Sequence, residues 1–324
     1  MSRGVRRVGV VVMIVVLMLT VGACSASDDA ATVGPPIQVN TARGPVTITG
    51  TPKRIVTLGT QWIDVTLSFG VTPVAYLDNL QVLTGKPTPW TADRLAGSTA
   101  IDTDAIIAQI ARAAPDLILA TSYMAQSQPD MYEKLSAIAP TIPGVSGKQV
   151  DAWQDLVTFL GTVLRDPDTA ASITGEVDRQ VDTVKNRLPG LNGKTYAMAY
   201  LFTSEQIQVL GDPDDGATYL FRSLGMSIAP RLVADFRRTG QQRFPISTEN
   251  LPLLDADLLL ITANTDQMMT QLQKLPGYRA LRAVTSGAVS RLSVVDIGGI
   301  NEPSPLSIPY LLDKLQPALE KAAA

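Results

Sequence analysis

The stretch Asp166–Leu188, DPDTAASITGEVDRQVDTVKNRL, decides the architecture of the chain. Asp166 before Pro167 reads as an N-cap with proline at the first helical position. Ile173, Val177, Val181, Val184 and Leu188 then repeat at helical spacing, so one face is apolar along the whole run. About 22 residues at 1.5 Å each make a rod of roughly 33 Å. Pro189-Gly190 ends it. Just upstream, Trp153, Leu156, Val157, Leu160, Val163 and Leu164 keep the same period. A long helix that interrupts an alternating strand–helix chain predicts a strut between two lobes.

The alternation is visible on both sides. Upstream, Arg54–Leu58, Pro73–Leu77, Asp116–Ala120 and Thr141-Ile142 read as strands, with helices over Asp64–Phe69, Asp104–Ala114 and Pro129–Ile138. Downstream, Thr195–Phe202, Gln208–Leu210, Ser227-Ile228, Asp257–Thr262 and Ser293–Asp296 read as strands. Ala217–Leu224, Thr248–Leu254, Gly277–Val284 and Pro309–Leu319 read as helices. Strands separated by helical crossovers argue parallel sheets. The expected fold is α/β: two similar lobes with central, mostly parallel sheets, joined by a single long helix. The expected boundaries are 52–148 for the N-terminal lobe, 149–189 for the interlobe helix and 190–324 for the C-terminal lobe.

The N-terminus reads as a processing signal. Arg3, Arg6 and Arg7 precede the apolar run Val8–Thr20, which is too short for a comfortable membrane span. Val21-Gly22-Ala23-Cys24 resembles a bacterial lipobox, and Cys24 is the only cysteine in the chain. Residues 1–23 are therefore expected to be a lipoprotein signal peptide, with Cys24 lipidated. Residues 24–51, polar and rich in Gly, Pro, Ala and Thr, are expected to be a tether. The mature chain would be exported and anchored by lipid to the outer face of the plasma membrane. With no second cysteine it has no disulfide, and its stability comes from packing.

Composition excludes several classes of function. The chain has 324 residues, 45% of them hydrophobic, and a formal net charge of −3, so nucleic-acid binding has no electrostatic footprint. There is no histidine. Ser-His-Asp and Cys-His nucleophile systems are thereby ruled out, as are histidine-dependent zinc, manganese or copper sites. No G-x-x-x-x-G-K-[ST] and no G-x-G-x-x-G opens a helix. GDPDDG at Gly211–Gly216 lacks the ligand spacing of a calcium loop and reads as a polar turn. Carboxylate-only catalysis stays open on these grounds.

Ligands of open parallel α/β sheets meet the loops at the carboxyl ends of strands, and two facing lobes make a cleft. The candidate contacts are Trp62, Tyr76, Trp90 and Tyr123 in the N-terminal lobe, and Phe202, Arg237, Arg238, Arg243 and Asn301 in the C-terminal lobe. Each has a plainer reading: Trp62 packs under its helix, Tyr76 points into the sheet, and one of the adjacent Arg237 and Arg238 faces water. The stretch Ala234–Phe244, ADFRRTGQQRF, is expected to be a loop leaving a strand, with Arg243 as its best ligand contact. Flat aromatics with arginine forks suit a sizeable, partly flat, anionic small molecule.

The lipobox, TPKRIVTLGTQWIDVTLSFGVTPVAYLD, AAPDLILATSY, the strut helix and FPISTENLPLLDADLLLI together resemble the iron-complex class of substrate-binding proteins. The resemblance covers roughly Thr51 to Leu319. It implies the class III periplasmic-binding-protein fold, a monomer, and delivery of a ferric siderophore, taken as an anionic chelate, to an ABC permease dimer; it implies a binding protein rather than an enzyme, with no catalytic residues, cofactor or protein metal ligands. It implies that Glu249 in ISTENL and Asp104 in IDTDAI dock on that permease. Aspartate replaces the usual glutamate at Asp104, and the stretch from there to Pro115-Asp116 is about one turn longer than in the class. Two alternatives accompany it: haem capture with Tyr76 or Tyr123 as axial ligand, and a surface lipoprotein reusing the fold without transport.

Overall fold

The computed structural model describes residues 34–324; the expected signal peptide and Cys24 lie outside the described residues. The N-terminal lobe is built on a five-stranded sheet, all parallel, in the order Thr99–Ala100, Ala75–Leu77, Ile55–Leu58, Leu117–Ala120, Thr141–Pro143. Every residue of Ile55–Leu58 and Leu117–Ala120 is buried. Their unbroken apolar character follows from having helices on both faces, as parallel sheets require.

The C-terminal lobe holds a six-stranded mixed sheet. Its order is Arg243–Ser247, Gln206–Leu210, Thr195–Leu201, Leu258–Ala263, Val289–Arg291, and Ser227–Ile228 also pairs with the central strand. Thr195–Leu201 and Gln206–Leu210 form an antiparallel hairpin that covers only Ala199 to Leu201 of the central strand. Ser227–Ile228 takes over beside Thr195 and Tyr196. The hairpin reverses the chain. Segment Gly211–Gly216 therefore leaves the sheet at the end opposite Phe202, and this decides which residues can reach the cleft.

Two helices connect the lobes, Trp153–Leu164 and Pro167–Arg187. Asp166 caps the second, its carboxylate accepting from Thr169 N at 3.1 Å. The helices pack tightly at their joint, where a Cβ on Gly161 would lie 2.6 Å from Ala170 Cβ. Apolar residues of both lobes and of the helix pair form one continuous core, from Trp62 and Leu117 through Val157 and Val181 to Tyr196 and Leu315.

Some segments depart from the sequence reading. Part of the expected tether is structured: Ile37–Thr41 and Gly44–Ile48 form an antiparallel hairpin. Val39 and Ile48 are buried in the main core, and Arg43 Nη1 donates to Ala125 O at 2.9 Å. The alternation Ile37, Val39 and Val46, Ile48 about a glycine turn accounts for it. Ser293–Asp296, expected as a strand, opens the helix Val294–Asn301 instead. Ser293 and Asp296 form a capping box, and that local hydrogen bonding outweighs the β-branched valines.

Candidate ligand-binding cleft

A cavity of about 230 Å³ lies where the lobes meet. The N-terminal lobe supplies most of its wall from the carboxyl ends of its strands. Gln61 and Trp62 follow Ile55–Leu58 through Gly59, whose φ of 117° only glycine adopts readily. Asn79 follows Ala75–Leu77, and Thr121, Ser122 and Tyr123 follow Leu117–Ala120. Gln149, Val150, Asp151 and Leu156 come from the start of the helical connection, and Glu302 from the C-terminal lobe. Gly216 of the C-terminal lobe approaches Val150 and the Asn301 carbonyl at the same junction. The cavity is below the roughly 300–1,000 Å³ of typical small-molecule sites, so a larger ligand also uses the rim.

Polar contacts tie the lobes together around it. Gln61 Nε2 donates to Pro303 O at 2.8 Å and to Asp151 O at 3.2 Å. Asp64, wholly buried, accepts from Trp90 Nε1 at 2.8 Å and from Ser304 Oγ of the opposite lobe. Burial pushes the Asp64 carboxyl well above the usual range; the Ser304 and Trp90 hydrogen bonds oppose this, and nearby Asp78 and Glu302 add to it. Asp78, raised by burial, accepts from Thr60 Oγ1 and Leu80 N, both at 2.9 Å. Burial, then the charge of Asp78, brings Glu302 up to about 7. Asp151 is held by Ser146 N at 2.7 Å and Val145 N at 3.2 Å, with the Ser122 and Ser146 hydroxyls also pointing to it.

The predicted contacts divide. Trp62 lines the cavity and is also core: it is 1% exposed, donates to Ala120 O at 2.9 Å and meets the Phe159 ring edge at 6.0 Å. Tyr123 lines the cavity with 57% of its surface free. Tyr76 is buried beneath Leu306 with its hydroxyl on Gln81 Oε1 at 3.2 Å, away from the cavity wall. Trp90 is an interlobe plug, not a wall residue: its ring lies 5.3 Å from Tyr310 and against Gly299. Asn301 is beside the cavity, its Oδ1 buried without a hydrogen-bond partner among the described residues. Phe202 sits at the hairpin turn, its carbonyl accepting from Asn264 Nδ2 at 2.8 Å, so the reversal of the chain removes it from the wall.

The arginine clamp is corrected. Arg237 and Arg238 lie in the last turn of a helix, Pro230–Thr239, not in a loop. Leu232, Val233 and Phe236 give it an apolar face, Pro230 starts it and Gly240 stops it. Both arginines are exposed, favourably placed for the helix dipole, and Arg238 pairs with Asp235 at 2.8 Å. Arg243 begins a strand and binds Asp215 through both Nε and Nη2, at 3.0 and 2.8 Å. No arginine or lysine belongs to the described cavity wall. The charge argument for an anionic ligand thus finds no support in this wall. Its counterpart was missed: Asp64, Asp78 and Glu302 cluster at the lobe junction. The available signal was an acid embedded in an apolar run, as in WIDV at Trp62–Val65.

Two α/β lobes joined through helices, with a polar and aromatic cavity at the junction, define a class III binding-protein fold built to hold a small solute. The chain belongs to the periplasmic binding protein family, whose pattern matches residues 92–293. Among its relatives, the Fe(3+)-citrate-binding protein YfmC of Bacillus subtilis is 25% identical over 258 residues, covering 78% of this chain and 76% of YfmC. A periplasmic solute binding protein from Mycobacterium smegmatis superposes with a TM-score of 0.73 at 28% identity, over 89% of this chain and 99% of that one. Streptococcus pneumoniae PiaA in complex with ferrichrome shares the fold, with a TM-score of 0.70 at 22% identity, over 89% of this chain and 98% of PiaA.

Proposed function

We propose that this protein works outside the cytoplasmic membrane, captures a ferric chelate of siderophore type in the interlobe cavity, and delivers it to an ABC importer. The observation that carries the reading is the cavity wall itself. It joins two aromatic side chains, the exposed Tyr123 and the largely buried Trp62, to amides and hydroxyls of the N-terminal lobe and the helical connection, and to Glu302 of the C-terminal lobe. Such a wall supplies flat contact area and both donors and acceptors for an oxygen-rich chelate. The name of YfmC, a relative over most of both chains, points to iron-chelate binding as well. The iron stays within its chelator, so the protein contributes no ligands to it.

Lipidation at Cys24 would hold the protein at the membrane, and Glu249 and Asp104 would meet the importer. Both acids are exposed in first helical turns, with backbone N–H groups already capped by Ser247 and Asp102 respectively. Their carboxylates are thus available to basic pockets on a partner.

Tryptophan fluorescence tests the reading, because Trp62 lines the cavity. Ferric siderophores should quench it with dissociation constants below about 10 μM, or roughly −7 kcal/mol. Lack of quenching by every ferric chelate tried would defeat the proposal. A Soret band on haemin titration that disappears in Tyr123→Ala would replace the chelate by haem. In a reconstituted importer, Asp104→Ala with Glu249→Ala should abolish delivery while the chelate still binds. Undiminished delivery would reject the docking assignment.

A further inference from the structure

Apart from the Tyr123 phenol, the ionisable groups of the described cavity wall are carboxyls. Asp151 and Glu302 are in its wall, and Asp78 lies next to the wall residue Asn79. They differ in what they have left to offer. Asp151 is committed to closing its own loop through Ser122, Val145 and Ser146. Asp78 uses Oδ1 for Thr60 and Leu80, while its Oδ2 is buried with no partner among the described residues. Glu302 comes from the opposite lobe, feels the charge of Asp78, and receives no hydrogen bond among the described residues that would favour its ionised form. Asp64, behind them, is enclosed by Trp90 and Ser304.

Compensating cations are absent from the described wall. Arg243 is neutralised by Asp215. Lys148 is exposed and outside the wall, although its neighbour Gln149 is part of it. Glu302 in the wall, with the buried Asp78 behind it, therefore confronts whatever enters, in a partly buried site where charge is weakly screened.

Resting on the reading of the cavity as a ferric-chelate site, we propose that it selects chelates of zero or positive net charge, of the hydroxamate kind. Anionic catecholate and carboxylate chelates are rejected, and Glu302 is the side chain that reads the charge. A chelate bearing an ammonium gives Glu302 the partner it lacks. A neutral chelate binds through Asn79 and Gln149, which can donate and accept at once, while Gln61, its Nε2 already given to Pro303 and Asp151, can only accept. A trianionic complex must approach Glu302, and no arginine or lysine of the described wall offsets the repulsion. Rejection of the wrong ligand by like charge is a common source of specificity.

The test is calorimetric titration of the purified protein at pH 7.5 with four ferric complexes. Ferrioxamine B carries a free ammonium, ferrichrome is neutral, and ferric citrate and ferric enterobactin are anionic. The first two should bind at least tenfold more tightly than the last two. Raising sodium chloride from 50 to 500 mM should narrow that ratio severalfold, a readout that needs no variant. Glu302→Gln should cut the preference for ferrioxamine B over ferric citrate at least fivefold. An anionic complex binding as tightly as ferrioxamine B, or a ratio indifferent to salt, overturns the charge selection and leaves the chelate reading standing. Failure of all four to bind defeats the chelate reading, and charge selection with it.

Discussion

Replacing Glu302 with glutamine should stabilise the protein in a pH-dependent way. In the folded chain the carboxyl is held up to about 7, from an ordinary value of 4.5, chiefly by burial and then by Asp78. In the unfolded chain it loses its proton near its ordinary value. Between pH 4.5 and 7 the unfolded state therefore binds fewer protons, so Glu302 makes stability fall as pH rises through that window. Below it there is no penalty; above it the penalty is complete, at roughly 3 kcal/mol. Glutamine keeps the shape and cannot ionise. The variant should match the wild type at pH 4.5 and exceed it by up to about 3 kcal/mol at pH 8, a large part of the ~5–15 kcal/mol that folded domains possess. Urea unfolding at pH 4.5, 5.5, 6.5 and 8 measures the difference directly. Asp78→Asn in the same background should reduce the glutamine increment, because one source of the elevation is gone. An increment that is the same at every pH, or a loss at pH 8, would refute the reasoning. The carboxylate would then be paired, and its confrontation with Asp78 would not exist.

Three further outcomes follow from the same contacts. Trp90→Phe removes the indole N–H from Asp64 and should cost about 1–3 kcal/mol in urea unfolding, the usual penalty for a stranded buried acceptor; a neutral result would show that this buried hydrogen bond carries no weight. Gly144→Ala forces a side chain to φ 80° and into the space of Ser122 and Asp151, so it should lose about 1–3 kcal/mol and weaken chelate binding by distorting the wall. Arg243→Ala breaks a partly exposed pair with Asp215, so its stability effect should be at most about 1 kcal/mol, and no chelate should bind less tightly. A tenfold loss of affinity on that change would reinstate an arginine clamp.

The frame of the molecule was legible because its determinants are local. The 3.6-residue stripe from Ile173 to Leu188, the Asp166-Pro167 start and the buried strands such as Leu117–Ala120 each lie within one stretch of chain. The strand ends of the N-terminal lobe were legible for the same reason. There every strand runs the same way, so Gln61, Asn79 and Tyr123 emerge together at one end. In the C-terminal lobe a single antiparallel hairpin breaks that rule. It sends Phe202 to one end of the sheet and Gly211 to the other, and no periodicity records which way a strand points. The arginines misled for a related reason. Fixed charge is visible in sequence, but its neutralisation by Asp215, 28 residues away, is not. Farther apart still, Asp64 and Ser304 meet across 240 residues. An acid within an apolar run can be noticed, yet its partner and its protonation depend on how two separately folded lobes come to rest on each other. The charge of the cleft is therefore set at the junction, by groups that neither lobe would reveal alone.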